Sequence, residues 1–299
     1  MLFCFVGGYL FTQWWGSPSP EALYVGTALT ATSIGISVQV LHQFGLINKK
    51  VGQIVIAAAV IDDVVALYLL ALAHGMLTDG VSAVGMTLSV VLAALLLVAI
   101  FFSCRWLARV AAPRLSVVNP AYRLMSVILV IVAFGWITDW MGYSLVVGGF
   151  FAGLGLGEDL DKESDRKRLI QQLEGLVLVL VPFFFVLIGA RAEWSVLADE
   201  GMVTLLVGLL LVALVGKFIG GVVGAFGEQN FVDRMLIGAS MAPRGEVALV
   251  IASLVFQQGH ISHHVFVALI LMTIGAAVMA PLLMVFLARY HGSQEHNMP

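Results

Sequence analysis

Two aspartates stand side by side in an apolar run, GQIVIAAAVIDDVVALYLLA over residues 52–71, and Asp62 and Asp63 are the only charges between Lys50 and Asp79. Three more ionisable residues are set in apolar surroundings: Lys217 in LVGKFIGGVVGAFG, and Arg244 and Glu246 in IGASMAPRGEVALVIA. A charge at the centre of a membrane helix costs about 2.5–3.5 kcal/mol on insertion scales, so such residues face a bundle interior and find partners. Three acids against two cations leave one negative charge unmatched when all are ionised, and that site must take up a proton or a cation. Asp62 lies about 12 residues into its run, or roughly 18 Å along a helix, close to a bilayer midplane. Neighbouring helical residues point about 100° apart. One aspartate is therefore expected to pair with Lys217 and the other to face an aqueous cavity. The alternative is an ion-pair network with a purely structural role.

The elements that must position these groups are membrane helices. The chain of 299 residues is 61% hydrophobic and 11% charged, with a mean hydropathy of +1.02, whereas a soluble domain carries about 25% charged residues. Apolar runs separated by charged or Gly/Pro-containing breaks give ten expected segments, at 1–15, 22–43, 51–74, 82–108, 121–139, 143–157, 175–190, 201–226, 231–256 and 264–288. Twelve of the 15 Lys and Arg fall on one side of this arrangement: Lys49, Lys50, Arg105, Arg109, Arg114, Arg123, Lys162, Arg166, Lys167, Arg168, Arg234 and Arg289. Arg191 alone falls on the other side. Positive residues stay cytoplasmic, so both termini are expected inside. Met1 leads into apolar residues without a basic stretch, and no cleavable signal peptide is expected.

Two segments carry interruptions. Thr27, Thr30, Thr32, Ser33, Gly35 and Ser37 run through the centre of 22–43, and Pro243 and Gly245 sit at the centre of 231–256. Proline removes a backbone donor and glycine adds permissiveness, so the second segment is expected to break. The first admits two readings: a break, or a continuous helix whose hydroxyls bond to their own backbone. Each interrupted segment is the middle of a triplet, and the two triplets run in opposite directions. Inverted repeats with paired interrupted helices point to a midplane binding site, where half-helix ends offer partial charges. Gly216, Gly220 and Gly224 at a spacing of four are read as a packing face.

TALTATSIGI, AAAVIDDVVAL, GKFIGG and MAPRGEVALVIA, in this order and spacing, resemble motifs of the monovalent cation:proton antiporter-2 family, the NapA-like Na⁺/H⁺ antiporters in particular. The resemblance runs from about residue 1 to 288. It implies an all-α polytopic membrane protein with an NhaA/NapA-like inverted-repeat antiporter fold and two broken, crossing helices. Residues 1–108 would form the first half of the ion-transport core, 109–200 linker helices of a dimerisation domain, 201–288 the inverted second core triplet, and 289–299 a disordered cytoplasmic tail. The implied activity is exchange of Na⁺ or Li⁺, or K⁺ in some branches, for protons, electrogenic where the acid is doubled. By position, Asp63 resembles the acid that binds cation and proton alternately, and Asp62 the one paired with Lys217. Thr32 and Ser33 match the first crossover of the cation site; Arg244 and Glu246 lie in the second as charge compensation, and Gly35, Pro243 and Gly245 mark the breaks. Desolvation favours a neutral acid and a nearby cation favours the carboxylate, so proton and hard cation compete for one group.

The only metal this reading involves is the transported cation. No cofactor is expected, no G-x-x-x-x-G-K-[ST] phosphate loop occurs, and no nucleic-acid partner is implied. Expected partners are monovalent cations, protons and the lipid bilayer, with a homodimer as the assembly the family's dimer domain allows; the expected location is a bacterial inner membrane. Family members carry further helices before the point matched by Met1, so a chain lacking part of the dimer domain is expected, as is a simple antiporter without the regulatory domain of potassium-efflux relatives. A truncated, non-transporting scaffold or sensor is the competing reading. An intramembrane aspartyl protease fits poorly, because its two acids must converge from different helices on one water. A passive cation channel is opposed by Lys217 and Arg244. The seven histidines lie at segment ends and read as solvated, Cys4 and Cys104 suggest neither disulfide nor zinc site, and Trp14, Trp15 and Trp140 read as interface anchors.

Overall fold

The computed structural model describes residues 1–78, 91–92, 95–96, 98–107, 109–110, 120–141, 145–157, 163–227 and 230–296. All regular structure among them is helical. In chain order the helices are α1 (Leu2–Trp15), α2 (Ser19–Ala28), α3 (Ile34–Gln43) and α4 (Lys50–Thr78), then α5 (Val98–Leu107). They continue as α6 (Pro120–Trp140), α7 (Leu145–Gly157), α8 (Glu163–Arg191), a 3₁₀ turn (Trp194–Ala198), α9 (Met202–Gly224), α10 (Phe231–Ser240), α11 (Glu246–Gln257) and α12 (His263–His296). Five of these contain stretches long and apolar enough to cross a membrane: Lys50–Leu70, Tyr122–Trp140, Leu169–Arg191, Met202–Gly224 and His263–Tyr290. The ten-segment expectation is thus met only in part. Two of its segments are interrupted, and much of the 82–108 run, with Arg114, Lys162 and the acidic stretch Glu158–Asp161, lies outside the described residues. Helix α12 continues past Arg289 to His296, where disorder was expected, and 297–299 lie outside the described residues.

The chain divides into two compact units, one of Met1–Leu70 with Ile188–Pro299 and one of Ala71–Leu187. In the second unit, Ile100, Cys104 and Ala152 form a small buried cluster backed by Val130, Ile131 and Phe134. At Gly148 an added Cβ would lie 2.2 Å from Thr138 Oγ1, so α6 and α7 meet there through a residue without a side chain.

The first unit holds all five ionisable residues of interest. Helix α1 packs on α2 and α9, α9 on α10 and α12, and α12 on α3, α10 and α11. One end is filled by Val40, Leu41, Val51, Val55, Leu236, Ile237, Met284 and Leu287, drawn from α3, α4, α10 and α12. The helix ends follow local chemistry. Gly16 closes α1 at φ 113°, its N–H bonded to the Gln13 carbonyl at 3.0 Å. Asn230 caps α10 by accepting from the Val232 N–H at 3.0 Å. At the start of α12, Ser262 Oγ accepts from the Val265 N–H at 3.4 Å, and buried Glu21 of α2 accepts from the Ser262 N–H at 2.6 Å and hydroxyl at 2.7 Å.

Both interrupted segments are broken. Residues 29–33 separate α2 from α3, and residues 241–245 separate α10 from α11. In the first, both readings of the hydroxyls apply to different residues. Thr27 Oγ1 donates to the Leu23 carbonyl at 2.9 Å and Thr30 Oγ1 to the Thr27 carbonyl at 2.6 Å, inside their own helix end. Thr32 and Ser33 bond elsewhere, and Ser37 Oγ reaches both the Ser33 carbonyl of its own helix at 3.4 Å and the Ser240 carbonyl at 2.6 Å. Gly35, expected at the break, belongs to the first turn of α3, because Ile34 already has a helical neighbour set. Pro243 and Gly245 lie in the second break as expected.

Candidate functional site

The two breaks meet, and their backbones satisfy one another. The Ser33 N–H donates to the Pro243 carbonyl at 3.0 Å, and Ser37 Oγ donates to the Ser240 carbonyl at 2.6 Å. Non-helical backbone at membrane depth is tolerated only where such partners exist. Gly245 is required by this approach: a Cβ there would stand 2.6 Å from Ser33 Oγ and 2.8 Å from Ser33 Cβ.

Beside the breaks lies the acid pair on α4. Asp62 Oδ2 accepts from the Lys217 ammonium of α9 and from Thr32 Oγ1 at 2.9 Å. Lys217 Nζ also donates to Thr32 Oγ1 at 2.7 Å, closing a three-membered ring of contacts. Lys217 is 2% exposed and Asp62 7%, so the pair is shielded from bulk water and each member depends on the other. Asp63 is also buried. Its Oδ1 has no hydrogen-bond partner, while Thr32 offers it a backbone N–H and Glu246, Asp62 and Lys217 are its charged neighbours. The structure thus separates two adjacent acids into an engaged one and one with a vacant oxygen.

A cavity of about 160 Å³ adjoins the pair, room for several waters. Its walls include Ala58 and Asp62 of α4, Lys217, Gly220 and Gly221 of α9, and Met241. The sequence analysis placed a cavity at the unpaired acid, yet this one opens onto the paired acid. Adjacent residues diverge around α4, and the glycine-rich face of α9 leaves its space on the Asp62 side.

Arg244 is fully buried; among the described residues no carboxylate bonds to it, and Asp62 acts on its charge from a distance. Its Nη1 donates to the Ala31 carbonyl in the first break, and Nη2 lies 3.4 Å from both Cys4 Sγ and the Ala213 carbonyl. The guanidinium thus serves the Ala31 carbonyl freed by the α2–α3 interruption while reaching α9, as a fork of fixed donors can. Glu246 was expected deep in a span; it begins α11 and its side chain is exposed, with Ser33 Oγ donating to Oε2 at 3.4 Å. Of the five ionisable residues singled out, four are therefore buried: Asp62, Asp63, Lys217 and Arg244.

The glycine face of α9 also differs from its expected form. Gly216 abuts Cys4, with a Cβ 3.0 Å from Sγ, Gly220 makes only ordinary contact, and Gly224 faces open space. The close backbone approach is at Gly221, whose Cβ would lie 2.6 Å from Gly238 Cα of α10. Sequence reasoning missed this contact, although the signal was present: Gly221 is four residues beyond Lys217 and shares its face. It also missed two histidine–carboxylate contacts, His263 with Glu193 at 3.4 Å and His264 with Asp199 at 2.8 Å. These join the 3₁₀ turn region to the start of α12 at half-exposed positions.

Apolar helices of membrane length, two interrupted helices joined at their breaks and buried opposite charges beside them define a polytopic membrane protein with an ion-pair site. Residues 1–289 match the model of the family described as sodium/hydrogen exchanger, transmembrane, and the chain belongs to that family. It is similar to the Na⁺/H⁺ antiporter of Enterococcus hirae, 29% identical over 97% of this chain and 75% of that protein. It is 31% identical to the high-affinity Na⁺/H⁺ antiporter NhaS3 of Synechocystis over 89% of this chain and 58% of that protein. The Na⁺/H⁺-K⁺ antiporter GerN of Bacillus cereus is 29% identical over 93% of this chain and 70% of its own length. These relatives are transporters, not enzymes.

Proposed function

We propose that the chain forms the ion-exchanging core of a secondary transporter that swaps a monovalent cation for protons across a membrane, with cation and proton competing for Asp63. One observation carries the reading: Asp62 Oδ2 is held by Lys217 and Thr32, whereas Asp63 Oδ1 is buried without a hydrogen-bond partner. A buried carboxylate left so must either hold a proton or gain a cation. The Na⁺/H⁺ antiporters of Enterococcus hirae and Synechocystis, as relatives, support the same exchange. Na⁺ or Li⁺ is the proposed cation, electrogenic exchange the proposed mode, with a second proton carried per cation besides the one on Asp63, and alternating access the proposed cycle, on an inverted-repeat fold of the NhaA/NapA kind. The core would be residues 1–108 and 201–288, with 109–200 as scaffold. The setting would be a bacterial inner membrane with both termini cytoplasmic, in an assembly that can dimerise.

A second cation has specific support, because GerN is named for K⁺ as well as Na⁺. All three are hard cations bound by the same oxygen types, so a K⁺/H⁺ exchanger fits the same site. The test is exchange in proteoliposomes under an imposed pH gradient, adding Na⁺, Li⁺ or K⁺ in turn. Cation-dependent proton movement should appear in the wild type and vanish in Asp63→Asn. Equal movement in both proteins would remove Asp63 from the mechanism.

A further inference from the structure

The two hydroxyls at the first break face different groups. Thr32 Oγ1 donates to Asp62 and accepts from Lys217, and the side chain is buried; Ser33 Oγ turns to Glu246 instead. An ammonium is a point charge on a flexible four-carbon stem with three rotatable donors. Lys217 acts on Asp63 as well as on Asp62, so by attraction alone it has two adjacent acids to choose from. Thr32 supplies a third point that favours one of them. That point is fixed, because the residues on either side of it are tied to the second break: the Ala31 carbonyl accepts from Arg244 and the Ser33 N–H donates to the Pro243 carbonyl. A hydroxyl that holds an ammonium on one of its two lone pairs is a poor ligand for a second cation, because the ammonium repels it.

We infer that Thr32 is a positioning residue, not a ligand of the transported cation: it holds Lys217 on Asp62 and so keeps Asp63 open. This rests on the reading of Asp63 as the exchanging acid. It assigns Thr32 a role different from that of a cation ligand at the crossover, and it makes the two crossover hydroxyls unequal.

The first measurement needs no transport. Unfolding midpoints of the purified full chain in detergent are compared for wild type, Thr32→Val, Lys217→Met and the double variant, with Thr32→Ser as the conservative control. Thr32→Val should lower the midpoint in the wild-type background and have no further effect once Lys217 is Met; Thr32→Ser should keep the wild-type midpoint. Additive losses, or a serine variant that behaves like valine, overturn the inference. Should Lys217→Met not yield folded protein, Asp62→Asn takes its place in the same cycle, with the same expected non-additivity. The second measurement is exchange. Thr32→Val should move the pH profile while leaving the apparent KM for the cation within about twofold at the optimum. A rise in KM of about tenfold that persists in the Lys217→Met background would make Thr32 a cation ligand and overturn the inference. If the wild type itself moves no more protons than Asp63→Asn, the exchange reading fails, and the unfolding cycle still decides the role of Thr32.

Discussion

At the residue scale, the site separates groups that look equivalent in the sequence. Asp62→Asn keeps the shape of the engaged acid but leaves the Lys217 ammonium without its counter-charge, and exchange measured in proteoliposomes should slow or change its charge movement. Lys217→Ala removes the cation that holds Asp62, and the pH profile of exchange should shift; an unchanged profile would argue that the pair is only structural. Arg244→Leu strands the Ala31 carbonyl, a loss of about 1–3 kcal/mol for an unsatisfied buried group, read as a lower unfolding midpoint with Arg244→Lys less affected. The charged residues and their depth were legible from the sequence, because a charge in an apolar run stands out. That Asp62 and not Asp63 is engaged came only with the resemblance, since spacing alone leaves the pair symmetric. The partners of Arg244 were not legible at all: they are chiefly backbone carbonyls, which every residue carries. Glu246 directly follows the expected break, and its place in an apolar run does not show that the first turn of the new helix leaves its side chain exposed.

At the element scale, the breaks decide what can meet. Proline and glycine announced the second break, and the run of hydroxyls left the first open, because Thr27 and Thr30 do bond to their own helix while Thr32 and Ser33 do not. Gly221 and Gly238 fuse α9 to α10 at backbone distance, and this makes a sharp comparison possible. Gly221→Ala forces two backbones apart and should lower the unfolding midpoint clearly. Gly224→Ala, with nothing near its Cβ, should be neutral or slightly stabilising, since alanine is favoured over glycine in a helix by about 1 kcal/mol. Equal effects at the two positions would mean that the α9–α10 contact is not a tight one. The fourfold glycine spacing in the sequence pointed to the right helix and the wrong face, because the pattern is ambiguous by one residue where two glycines are adjacent.

At the scale of the whole molecule, the sidedness of the basic residues gives the boldest expectation. A cysteine placed at Asn48, beside Lys49 and Lys50, should be labelled from the cytoplasm by an impermeant thiol reagent, and one at Ser195, beside the 3₁₀ turn, from the opposite side. Labelling of both from one side would overturn the orientation. The histidine pairs near that turn are half-exposed, so His264→Ala should change stability by no more than about 1 kcal/mol. The four buried charges of the core have a further consequence. With all of them ionised, Asp62 and Asp63 cancel Lys217 and Arg244, and the cluster is neutral; with a proton or a monovalent cation on Asp63 it carries one positive charge. A membrane voltage does work of about 2.3 kcal/mol per charge per 100 mV, so a core that moves across the field would be pushed or held back only when loaded. Transient currents on a supported bilayer should therefore depend on cation concentration in the wild type and lose that dependence in Asp63→Asn, whose cluster carries the positive charge at all times.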